Sequence, residues 1–195
     1  QIGYDGSVQS AGNISLGNQE RQLNADVAVV GGGPAGAVTA LLLARAGYEV
    51  TLFDRAAFPR SKACGDCISP RANRLLADIG LLEAIRAAAP ASLAGWRIVS
   101  PSGTTFSARF ADGPAVPAEH HGLALERRTL DSILLGAARA SGVQVFERTR
   151  LEQVRFDADT VTGVALHSET GALLVSGRGV VAARVRLPAR VRPQR

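Results

Sequence analysis

Apolar residues fall in distinct patterns along this chain. Through about residue 23 they are sparse and interrupted by Gly3, Gly6, Gly12, Asn13, Gly17 and Asn18, so residues 1–23 are expected to be a flexible leader. From Asn24 the pattern changes. Ala25–Val30 is a continuous apolar run and predicts a strand buried on both faces. Pro34–Ala46 predicts an apolar helix closed by Gly47, and Glu49–Phe53 a second buried strand. A loop from Asp54 to Ser69 follows, then short helices at Pro70–Ile79 and Leu81–Ala88. Trp96–Ser100 and Thr104–Phe110 flank Pro101-Ser102-Gly103 and predict a hairpin. Leu130, Ile133, Leu134 and Ala137 recur at helical spacing within Arg127–Ser141. Val143–Phe146 predicts a third parallel strand. Leu151–Phe156, Thr160–His167 and Leu173–Val175 predict a meander, and Gly177–Ala183 the start of one more strand. The order strand, helix, strand, then meander is that of an α/β fold.

Gly31-Gly32-Gly33-Pro34-Ala35-Gly36 matches GxGxxG, and its context is complete: a buried strand before, an apolar helix after, and Asp54 at the end of the next strand. Gly31 permits the tight turn. Gly33 lets backbone approach a pyrophosphate with no Cβ in the way, and Gly36, with Ala40 one turn on, lets the helix lie close to the strand. The free N–H groups of the helix start, at Ala35 and Gly36 behind Pro34, favour a bound phosphate. Asp54 is placed to accept hydrogen bonds from ribose hydroxyls and would repel a 2′-phosphate, which disfavours NADP here. The motif alone leaves FAD and NAD both open.

Composition narrows the picture. The chain has 195 residues, is 46% hydrophobic and carries a net charge of +5. Five of its 22 basic residues lie in 184–195, where there is no acid, leaving 17 basic against 17 acidic residues elsewhere. The excess charge therefore belongs to a basic tail rather than to a fold-borne nucleic-acid face. No apolar run reaches the roughly 20 residues of a membrane-spanning helix, and the N-terminus lacks the basic-then-apolar order of a signal peptide. These features lead to the expectation of a cytoplasmic protein, with contact to a membrane surface left open. The chain contains no Met, which suggests part of a longer polypeptide. Cys64 and Cys67 form a C-x2-C pair, but His120, His121 and His167 lie at spacings no zinc site uses, so no metal is expected. Two reduced thiols are favoured over a redox pair. Trp96 is read as hairpin packing and His120-His121 as a surface pair.

The stretch Phe58-Pro59-Arg60-Ser61-Lys62-Ala63-Cys64-Gly65-Asp66-Cys67-Ile68-Ser69-Pro70 resembles a loop of the geranylgeranyl-reductase-like flavoproteins, within the para-hydroxybenzoate hydroxylase superfamily. The resemblance runs from about Ala25 through Ile79 and more loosely to Ala183. It implies a Rossmann-like FAD-binding domain with a β-meander over residues 24–183, ending before a substrate domain is complete. It implies FAD on Gly31, Gly33, Pro34, Ala35, Gly36, Asp54 and Arg55. Arg60 and Lys62 would face its phosphates, with Cys64, Gly65 and Asp66 near the flavin. Arg127-Arg128-Thr129-Leu130-Asp131 matches a further family feature, in which Arg127 contacts FAD and Asp131 supports the helix start.

By the same resemblance, such enzymes reduce C=C bonds of an isoprenoid or similar apolar small molecule, with NAD(P)H as a candidate electron donor. The alternatives are an aromatic monooxygenase or halogenase-like enzyme, and a catalytically inactive FAD-binding fragment. No catalytic residue or oligomeric state is assigned. The pattern departs from the family after Ala183. Arg184 stands where an Asp is expected, and the following residues, with Pro188, do not suit a strand at the centre of a parallel sheet. A frameshift or displaced gene end is the expectation for 184–195.

Overall fold

The buried strand and helix read from residues 25–46 sit at the centre of the fold. The computed structural model describes residues 21–64, 66–89, 91–111 and 120–183. In chain order its elements are β1 (Arg21–Asn24), β2 (Val27–Val30), α1 (Pro34–Arg45), β3 (Val50–Phe53), β4 (Cys67–Ile68), α2 (Pro70–Asp78), α3 (Leu82–Ala88), β5 (Ala91–Leu93), β6 (Gly95–Val99), β7 (Thr105–Arg109), β8 (Gly122–Ala124), α4 (Arg127–Ala140), β9 (Gln144–Phe146), β10 (Arg150–Asp157), β11 (Thr160–Ser168), β12 (Gly171–Ser176) and β13 (Gly179–Ala182).

A parallel sheet of order β13-β2-β3-β9 forms the middle layer. Side chains alternate across it, as strand geometry requires. Val29, Val50 and Leu52 join the helices α1 and α4 in one core, with Leu41, Leu134 and Leu135. Ala28, Val30 and Phe53 join Leu151, Val164, Leu166 and Val175 of the meander in a second core. Both faces of β2 and β3 are thus covered, which is why their sequences are continuous apolar runs rather than alternating ones. Phe53 is wholly buried and stacks on Phe146, ring centroids 5.2 Å apart. Gly47, at φ 89°, turns the chain out of α1.

Some expectations need correction. Arg21–Leu23, expected in the leader, form β1, which pairs parallel with β12 and completes the meander sheet β1-β12-β11-β10. Residues 1–20, and the tail expectation at 184–195, lie outside the described residues. The final strand β13 stands at the edge of the described sheet, not at its centre. Three short strands went unread: β4, β5 and β8, which make a small antiparallel sheet of order β4-β8-β5. Trp96 packs less than expected. It meets Phe110 edge-on at 6.2 Å but stays more than half exposed, on a hairpin whose Ile98, Val99 and Phe106 are also exposed.

Replacing Phe53 by Ala leaves a cavity between the parallel sheet and the meander. It should lower stability by about 3–5 kcal/mol, read as a reduced urea midpoint at unchanged m-value.

Candidate functional site

The turn from β2 into α1 shows which of its glycines the chain itself needs. Gly31 sits at φ 114°, open to glycine and strained for other residues. A Cβ on Gly36 would lie 1.8 Å from the Gly31 carbonyl oxygen, so helix and strand can approach only because that position is bare. Gly33 differs. Its backbone is extended (φ −75°, ψ −177°), and a Cβ there would meet nothing closer than Arg60 at 3.5 Å and Arg127 at 3.7 Å. Neither conformation nor packing within the chain requires glycine at 33. The space it leaves is available to a ligand. Above it α1 begins with Pro34 at its first position, no side-chain cap and no acid in its first turn, so its leading N–H groups are unspent donors.

Asp54 ends β3 and is buried. Its Oδ2 accepts from the Gly32 N–H at 2.7 Å and its Oδ1 from the Ala56 N–H at 2.8 Å. The carboxylate therefore ties the glycine turn to the start of the following loop, a role the ribose reading missed. Each oxygen keeps a further lone pair for a ligand hydroxyl. The loop is also stitched to the segment after β9. Thr149 N–H donates to Asp54 O at 2.8 Å, Arg148 N–H to Ala56 O at 3.2 Å, and Phe58 N–H to Glu147 Oε2 at 2.7 Å.

These ties deliver Arg60 to the turn. Its guanidinium lies 3.7 Å from Asp54 and 3.6 Å from Asp131, and 4.9 Å over the Phe58 ring, and its buried Nε has no hydrogen-bond partner. Arg127, at the first position of α4, donates from Nε and a terminal nitrogen to Asp131 at 3.0 and 3.2 Å. Burial opposes its charge, but Asp131 and the Cys64 thiol outweigh this and hold its pKa above the ordinary guanidinium value. The helix start itself is held by Asp66, whose Oδ1 accepts the Arg127 N–H at 3.1 Å. This corrects the expectation for Asp131, which binds arginines instead.

The turn, Arg60, Arg55, Ser61 and Lys62 face a cleft of about 420 Å3 at the carboxyl ends of the parallel strands, where open α/β sheets bind ligands. Thr149, Arg150, Leu151 and Ala183 also line it; no sequence motif marks the first three. Arg55 and Lys62 are exposed and, among the described residues, make no ion pair. Ala35 is exposed on the first turn of α1. Gly65 lies outside the described residues. Cys64 is exposed and Cys67 half-buried, both free thiols. The Asp66 backbone, and then Arg127, stabilise the Cys64 thiolate and lower its pKa, whereas burial and neighbouring Cys64 raise that of Cys67.

Unspent helix donors, a glycine kept bare for a ligand, two arginines and an acid at the second strand define a dinucleotide-binding domain. Residues 24–183 match the FAD binding domain family, and the chain belongs to it. FAD is its cofactor. Its relatives include reductases and halogenases. A menaquinone reductase of Mycolicibacterium smegmatis is 37% identical over 140 residues, 69% of this chain and 31% of that protein. A geranylgeranyl diphosphate reductase of Rhodobacter capsulatus is 35% identical over 153 residues, 74% of this chain and 35% of that protein. The structure of a myxobacterial chondrochloren halogenase, described as FAD-dependent, superposes with a TM-score of 0.76 at 27% identity, covering 85% of this chain and 38% of that one. The chain thus spans about a third of the length of the relatives it matches.

Gly33→Ala should cost no more than about 1 kcal/mol of stability yet weaken ADP or FAD binding at least about tenfold by calorimetry. Gly36→Ala should cost about 3 kcal/mol or more, because backbone must move to admit it. In alkylation rates followed by mass spectrometry against pH, Cys64 should react with a midpoint below that of Cys67, and Arg127→Gln should move the Cys64 midpoint upward.

Proposed function

We propose that this chain is the FAD-binding part of a flavin-dependent reductase that saturates C=C bonds of an isoprenoid or similar apolar small molecule. The observation that carries this reading is the loop from Phe58 to Pro70, seated with Arg60 beside the glycine turn. Its resemblance to geranylgeranyl reductases agrees with relatives that act on geranylgeranyl diphosphate and menaquinone. Both of those compounds carry long isoprenoid chains.

Bound FAD supplies hydride transfer. Backbone from Gly31 through Gly36 would hold the pyrophosphate, where Gly33 leaves room for it and Pro34, Ala35 and Gly36 open the helix. Asp54 would accept from the adenosine ribose, and Arg55, Arg60 and Lys62 would offset the phosphate charge. By the loop's resemblance, Arg127, Cys64 and Asp66 would serve the flavin half. NAD(P)H is the proposed electron donor. The protein is assigned to the cytoplasm, which suits two free thiols in one loop. Among the described residues no helix is long and apolar enough to cross a membrane, and peripheral contact with a membrane fits an apolar substrate.

A second reading, an oxygen-dependent halogenase or monooxygenase, is favoured by the halogenase superposition. Turnover separates the two. The polypeptide carrying this domain, given NAD(P)H and a prenylated quinone or diphosphate, should bind FAD with yellow flavin absorbance and reduce the substrate without oxygen. Turnover that stops when oxygen is removed would assign the second reading. Absence of flavin from protein refolded with excess FAD would sink both.

A further inference from the structure

Asp131 is a wholly buried acid on α4. Its partner Arg127 occupies the first helical position, where the macrodipole disfavours a cation, and an Arg four residues ahead of an Asp is the weaker orientation for a helical pair. Burying a carboxylate costs several kcal/mol unless hydrogen bonds and opposite charge offset it. The expense is accounted for by what Asp131 holds. Both of its oxygens accept from Arg127, and Oδ2 also lies 3.6 Å from Arg60 Nε. Both guanidiniums thereby converge on the bare Cα of Gly33, at 3.5 and 3.7 Å from where a Cβ would stand.

The two arginines are held differently. Arg127 is fixed by two hydrogen bonds. Arg60 is shared between Asp54 and Asp131 with a hydrogen bond to neither, and its buried Nε is unpartnered. A buried donor without a partner is costly, and a terminal nitrogen of the same guanidinium borders the space over Gly33.

We infer that Asp131 is a positioning residue for the pyrophosphate: without touching the dinucleotide, it sets Arg127 in place and keeps Arg60 poised to close on the phosphates. The inference rests on the FAD-site reading and adds to it a specific dependence on the phosphate part of the ligand.

The test compares ADP with adenosine on the full 195-residue chain by calorimetry. Asp131→Asn should weaken ADP binding about tenfold or more while adenosine affinity stays unchanged. Equal loss for both ligands would show a merely structural role and overturn the inference, as would unchanged ADP affinity. If the wild-type chain binds neither ligand, the site reading itself fails, a result distinct from either. Should Asp131→Asn fail to fold because Arg127 is stranded, the comparison moves to Arg127→Gln against the double variant Arg127→Gln/Asp131→Asn, which strands no charge from that pair. The double variant should bind ADP several-fold more weakly than the single, at equal adenosine affinity. Equal ADP affinities would overturn the shared-anchor role.

Discussion

The fold depends on one close approach. Helix α1 lies against strand β2 at a separation that leaves no room for a Cβ on Gly36, since its nearest neighbour would be the Gly31 carbonyl oxygen. That contact fixes the direction in which α1 leaves the sheet and where its N-terminus points. The apolar face of α1, with Ala37, Ala40 and Leu41 buried, then packs against α4 and the sheet, and the Arg127 side chain at the start of α4 reaches the Gly33 turn.

Electrostatics follow from that arrangement. Asp54 and Asp131 are both buried, and both would be expensive without partners. Asp54 is satisfied chiefly by backbone N–H groups, Asp131 by arginine. Arg60 lies between them and completes the hydrogen-bonding demand of neither. The surroundings of the turn thus combine fixed backbone donors with a guanidinium that retains unspent ones, the chemistry that recognition of an anion requires.

Much of this was legible in the sequence because the signals were local. Apolar runs marked β2 and β3, helical spacing marked α4, and the glycine pattern located the turn. The role of Asp66 was not legible, since it depends on where the loop after β3 crosses the start of α4, a meeting between residues 61 positions apart, and the same crossing adds Arg60 to the local Arg127–Asp131 pair. The strand β1 was missed for the same kind of reason. Arg21-Gln22-Leu23-Asn24 has no apolar pattern, and its strand character comes from β12, which is remote in sequence. The two-residue β4 and three-residue β5 and β8 are too short to show a period. Thr149 and Arg150 reach the cleft through the turn after β9, which carries no motif.

The pairing of the first strands with the last described ones also bears on how the chain is made. Arg21 sits beside Leu173 and Val27 beside Gly179, so two early strands await partners that leave the ribosome near the end of this stretch. Until then β2 has only β3 beside it, and β1 has no neighbour in its sheet. Non-local parallel pairing is slow to form and exposes apolar strand edges meanwhile. Vectorial synthesis thus leaves the glycine turn tethered to an unfinished sheet until β12 and β13 emerge.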